Sequence, residues 1–173
     1  FGFAPELLVK DPALTVRDPG LDLAGRQPLR VVLDSHGRLP PSAKVVSDGL
    51  PTLVLTTAAG LARLRGSGVP AEAIAADANG HVDLPAALRR LAALECNEAL
   101  VEAGPRLAGA VVAANLADEI VLYVAPSILG EAARPAFTLP QPLQALAERR
   151  RYRFHDVRAV GPDLRLVLRP VED

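Results

Sequence analysis

Three stretches carry residues whose types and spacing suit them to hold phosphate. The first is Glu102-Ala103-Gly104-Pro105-Arg106-Leu107-Ala108-Gly109-Ala110. An apolar run at 99–101 predicts a short buried strand in front of it. Glu102 stands where that strand ends. Gly104-Pro105 then opens a helix running to about residue 115, with proline in the first turn, where its missing N–H costs little. The N–H groups of a first helical turn and the helix dipole both favour an anion. Gly104 lets a ligand approach the backbone closely, and Ala108 and Gly109 leave room for a cofactor or a neighbouring strand. The same pattern also serves a plain strand–turn–helix crossover, and it is not G-x-G-x-x-G, so on residue types alone both readings stand.

The second stretch is Asp11-Pro12-Ala13-Leu14-Thr15-Val16-Arg17. Asp-Pro opens a turn and keeps the residue before proline out of the helical region. Residues 14–17 then form an extended loop that presents Arg17, whose planar fork suits phosphate; a solvated loop arginine is the alternative. The third is Asp34-Ser35-His36-Gly37-Arg38, behind the apolar run 29–33. Loops at the carboxyl ends of strands are where open α/β sheets bind nucleotides. Ser35 both donates and accepts, and Arg38 can pair with phosphate. A turn held by local side-chain bonds explains the same residues. Glu102, at the end of the expected strand, either faces a ligand there or caps the nearby helix N-terminus.

Other chemistries find less support. His36, His81 and His155 are far apart, without a close Cys or His partner, so no metal site is predicted. The zinc-deaminase pattern H-x-E with P-C-x-x-C is absent. Cys96 has an acidic neighbour, Glu95, rather than the cationic partner a nucleophilic thiolate needs, and no serine sits in G-x-S-x-G.

The elements that position these residues follow from period and punctuation. At 173 residues the chain is long enough for one domain with a real core. Half the residues are hydrophobic but only 3% aromatic, so Leu, Val, Ala and Ile must build that core. Strands are predicted at 29–33 and 52–56, and a weaker one at 73–76. Thr57 caps a helix to about residue 64, ended by Gly66-Ser67-Gly68. Asp83 caps another, with Pro85 in its first turn; Leu84, Leu88, Leu91 and Ala92 face inward, and Arg89 and Arg90 outward. A buried strand is predicted at 119–124. Arg149-Arg150-Arg151 reads as a solvated surface. Strands at 152–160 and 164–168 form a hairpin around Gly161-Pro162-Asp163. The fold class is α/β, a mostly parallel sheet with an antiparallel C-terminal hairpin. Residues 1–10 show no clear period and lack an initial methionine, which suggests an incomplete N-terminus or residues that are not consecutive in the parent protein.

A net charge of −1 provides no bulk field for nucleic acid or anionic membrane. No apolar run reaches membrane-span length, and the start lacks a signal-peptide pattern. One cysteine in an Ala/Arg-rich chain points to a reducing cytoplasm.

Val101-Glu102-Ala103-Gly104-Pro105-x-Leu107-Ala108-Gly109-Ala110 resembles the signature of the reductase domain of the bifunctional riboflavin-biosynthesis deaminase–reductase. Asp11-Pro12-x-Leu14-Thr15-x-Arg17 and Ala125-Pro126-x-Ile128-Leu129-Gly130 resemble the same family. The likeness runs from Asp11 through nearly the whole chain. It implies a dihydrofolate-reductase-like three-layer fold, a single reductase domain, and a homodimer. It also implies NADPH-dependent reduction of 5-amino-6-(5-phosphoribosylamino)uracil to the ribitylamino compound, with the deaminase domain elsewhere in the parent chain. By this resemblance Leu14, Arg17 and Glu102 contact substrate. Ser35 and the helix start, Gly104, Pro105, Arg106, Leu107, Ala108, Gly109 and Ala110, contact cofactor. To these we add Arg38 as the residue that selects the extra phosphate of NADPH over NADH. Two positions depart from the family: Arg106 replaces a small hydroxyl, and Lys10 replaces an aspartate. The family's first strand, with its Lys and Ser-x-Asp-Gly turn, and its Ser/Gln/Trp segment do not occur before Asp11. The alternatives are a non-catalytic dimer-forming domain or an inactive fragment, and a reductase for another pterin-like or pyrimidine substrate. The loop around Leu14 and Arg17 argues against the last.

Overall fold

Val31, Val32 and Leu33 follow one another without a polar break, as a strand covered on both faces requires. They lie in β2 (Arg30–Leu33), all four residues of which are buried. The computed structural model describes residues 2–3, 13–16, 20 and 27–171. These fall into two units, Phe1–Ala103 and Gly104–Asp173.

In the first unit β2 lies between β1 (Gly2–Phe3) and β3 (Thr52–Thr56), and β4 (Ala71–Ala73) adds to β3. Every pairing is parallel. Among the described residues three helices accompany the sheet: α1 (Lys44–Ser47), α2 (Ala58–Leu64) and α3 (Leu84–Ala93). The core on one sheet face is Val32, Leu39, Val45, Val54, Leu64 and Val69, with Leu14 packed against it. In the second unit α4 (Pro105–Ala113) precedes β5 (Ile120–Val124), a 3-10 turn (Leu146–Glu148), β6 (Tyr152–Val160) and β7 (Asp163–Pro170). Its sheet runs β5-β7-β6 and is wholly antiparallel. No described helix is long and apolar enough to cross a membrane.

Both predicted caps form. Thr57 Oγ1 accepts from the Gly60 N–H at 3.1 Å, and Asp83 Oδ1 accepts from the Ala86 N–H at 2.7 Å. The C-terminal hairpin forms over β6 and β7. Other expectations are corrected. No strand is described at 99–101, where the backbone is irregular; a short apolar run does not determine by itself whether a ladder accepts it. The weak strand shifts from 73–76 to Ala71–Ala73. A single turn of helix, α1, arises within a Pro/Ser-rich loop, where burial of Val45 outweighs local propensity. β5 pairs with β7 rather than joining the parallel sheet, and Val121, Tyr123 and Val124 are exposed. Arg90 is not simply solvated: its Nε donates to Glu72 Oε1 at 2.6 Å. Arg150 Nη2 donates to the Ala113 carbonyl at 2.7 Å and so satisfies the C-terminal end of α4. Gly2–Phe3 forms a strand where two residues carry no readable period.

Candidate active site

A cavity of about 380 Å³ opens in the first unit. Leu14, Val16, Leu29 and Leu91 give it an apolar wall, and Glu98 and Glu102 put carboxylates on its lining. Both glutamates are exposed, so neither carboxylate is desolvated. Two of the predicted substrate residues, Leu14 and Glu102, thus share one cavity although 88 positions separate them in sequence (102 − 14). Arg17 and Lys10 lie outside the described residues.

The Leu14 turn is strained and tied down. Leu14 has φ of 51°, in the left-handed region that side chains other than glycine seldom enter. Bonds flank it on either side. The Ala13 carbonyl accepts from Arg30 Nη1 at 2.7 Å, and the Val16 N–H donates to Gln27 Oε1 at 3.1 Å. Arg30 is itself 3% exposed. Its guanidinium meets Asp48 as a fork, with Nη1 to Oδ2 at 2.6 Å and Nη2 to Oδ1 at 2.5 Å. Nη2 also reaches Thr52 Oγ1 at 2.8 Å. These bonds hold the Asp48 carboxyl down at about 2. Neither Arg30 nor Gln27 was marked by the sequence reading. The available signal was an arginine opening an otherwise apolar strand, a place where charge survives only when paired.

The loop after β2 is equally constrained. Asp34 is buried, and its Oδ2 accepts from the N–H groups of Arg38 at 2.6 Å and Leu39 at 2.7 Å. Ser35 is buried too: its Oγ accepts from the Val82 N–H at 2.9 Å, and its carbonyl accepts from Thr57 Oγ1 at 2.7 Å. Gly37, at φ of 63°, lies against Gly60, and a Cβ on Gly37 would overlap the Gly60 carbonyl oxygen. The Arg38 side chain is exposed. His36 and His81, distant in sequence, bring their rings to a centroid separation of 5.8 Å. Among the described residues no three His, Cys, Asp or Glu gather as a metal site would need.

In the second unit Gly104 is the N-cap of α4, with extended backbone, and Pro105 occupies the first turn. Gly104, a glycine, has no side chain of its own to cap this end, and no acidic residue sits in the first turn. Leu107 is buried, and Arg106 is exposed. The space opened by Gly109 is filled from within the unit: a Cβ there would overlap the Thr138 carbonyl oxygen. The Thr138 N–H also donates to the Pro105 carbonyl at 2.8 Å.

The family model for the RibD C-terminal domain matches residues 6–166. Riboflavin biosynthesis protein RibD of Escherichia coli (strain K12) is 37% identical over 175 residues, covering 94% of this chain and 46% of that protein. The 5-amino-6-(5-phosphoribosylamino)uracil reductase of Buchnera aphidicola subsp. Acyrthosiphon pisum is 28% identical, over 95% of this chain and 82% of its own length. Among solved structures, Acinetobacter baumannii RibD superposes with a TM-score of 0.82 at 30% identity, over 98% of this chain and 46% of that one. The α/β, dihydrofolate-reductase-like fold follows from this likeness. The chain spans about half the length of the RibD proteins it matches. On the family model that covers residues 6–166, the chain belongs to the RibD C-terminal domain family.

Proposed function

We propose that this chain is the reductase part of a longer deaminase–reductase, and that it reduces 5-amino-6-(5-phosphoribosylamino)uracil with NADPH. The observation that carries the reading is the cavity walled by the Leu14 turn and Glu102. Its apolar wall suits a flat pyrimidine, and its carboxylates suit sugar hydroxyls and an amine. Glu102 holds the sugar chain by its hydroxyls and stabilises positive charge arising at the carbon–nitrogen bond. Arg17 takes the substrate phosphate in this reading. NADPH, when bound, supplies the hydride.

The chain's own residues bind and orient that cofactor. Gly104, Pro105, Arg106, Leu107, Ala108 and Ala110 form the helix start that takes a cofactor phosphate, and Arg106 adds a cation there. Gly109 acts in packing against Thr138. Ser35 shapes its loop, since its oxygen already accepts from Val82. Arg38 reads the extra phosphate of NADPH. A homodimer belongs to the same proposal, and sedimentation of the purified chain tests it.

The experiment is a titration with NADPH and, in parallel, NADH, followed by nicotinamide fluorescence; the chain has no tryptophan to interfere. Saturable binding that prefers NADPH is expected. Arg38→Ala should reduce that preference about tenfold, the scale of one charge-assisted hydrogen bond. Failure to bind either nucleotide would replace the enzyme reading with a non-catalytic assembly domain.

A further inference from the structure

We propose that Arg30 is a positioning residue that fixes the Leu14 turn over the cavity by holding the Ala13 carbonyl. The inference rests on the reductase reading above only for the identity of the substrate. Its geometric basis is independent. A leucine in the left-handed region returns to ordinary backbone unless its neighbours are held, and such strain persists where the surroundings over-determine it. Here the residue before Leu14 is held through its carbonyl by Arg30, and the second residue after it through its N–H by Gln27.

Arg30 suits this task because of its rigid fork. One edge is fixed to Asp48 by two parallel bonds, and Thr52 Oγ1 engages Nη2 as well. With the fork so oriented, the second Nη1 hydrogen points at Ala13. The start of β2 therefore dictates where the turn sits. A lysine ammonium is a single point of charge on a flexible stem and cannot hold Asp48 and Ala13 in this geometry together. Arg30 lines the cavity with Leu14, but it is buried behind the wall. It acts through the loop.

The test is Arg30→Lys in the purified chain, with Gln27→Ala as a milder variant. Leu55→Val, on the other face of the sheet, controls for lost stability. Amide exchange at residues 13–16 should quicken about tenfold in Arg30→Lys while β3 keeps its protection. The KM for the phosphoribosylamino substrate should rise about tenfold, with kcat and NADPH affinity close to those of the parent chain. Gln27→Ala should move the same quantities less, and Leu55→Val should move neither. Unchanged exchange at 13–16 would overturn the tether. Faster exchange with unmoved KM would reduce Arg30 to a structural ion pair. An equal rise in KM for Leu55→Val would assign the effect to stability. A parent chain that binds NADPH but no phosphoribosylamino substrate would instead defeat the substrate reading, with exchange still deciding the tether.

Discussion

Glu102 is exposed on the cavity lining, so exchanging its carboxylate for an amide tests chemistry with little cost to the fold. Glu102→Gln keeps the shape and removes the charge. We expect kcat/KM to fall about a hundredfold with an unchanged melting temperature, the scale of losing one preorganised electrostatic contact; steady-state kinetics and a thermal melt check it. Asp48 makes a prediction in pH. Its folded carboxyl sits at about 2, below its ordinary 3.8, chiefly because of the bond from Arg30. Stability from that pair is complete above the ordinary value and is lost as pH falls through the folded one. The melting temperature should therefore drop on acidification from pH 4 to pH 2, and Asp48→Asn should remove that part of the drop. Leu14 and Glu102 were legible because their neighbours form motifs along the chain. Arg30 was not, because Ala13 and Asp48 lie 17 and 18 positions away and only folding brings them to it.

At the scale of elements, Gly109 shows how one glycine serves two readings. The sequence allowed a cofactor or a neighbouring strand against α4, and in the second unit irregular backbone at Thr138 takes that place instead. Gly109→Ala should cost about 1–3 kcal/mol by overpacking, seen as a melting temperature several degrees lower. Strands and helices with their own punctuation were readable: β3, α2 with Thr57, α3 with Asp83, and the hairpin of β6 and β7. Elements that depend on a partner were not. The run at 99–101 looks like a strand but joins no described ladder, and β5 looked buried until its pairing with β7 set its faces.

Across the whole chain, burial is uneven. Val32, Val54 and Leu55 have no or almost no exposure, whereas Phe154, Val157 and Val160 in β6 are largely open. β3 has a neighbour on each side, and β6 lies at an edge of its sheet. The amides of β3 should therefore outlast those of β6 by at least about tenfold in hydrogen exchange, measured by mass spectrometry or NMR. The α/β class, with parallel pairing first and an antiparallel hairpin at the C-terminal end, was legible from the order of the elements, but the pairing of β5 with β7 was not, since periodicity does not say which strands meet.

Cys96 lines the same cavity as Leu14 and Glu102, half-buried, and is the chain's single thiol. That gives the cavity a covalent tether point with no competing site. Disulfide-bearing fragments equilibrated against it under mild reduction would be retained according to how well they fill the apolar wall. Intact mass would then rank pyrimidine-like against unrelated fragments, and so map what the cavity accepts before any turnover is measured.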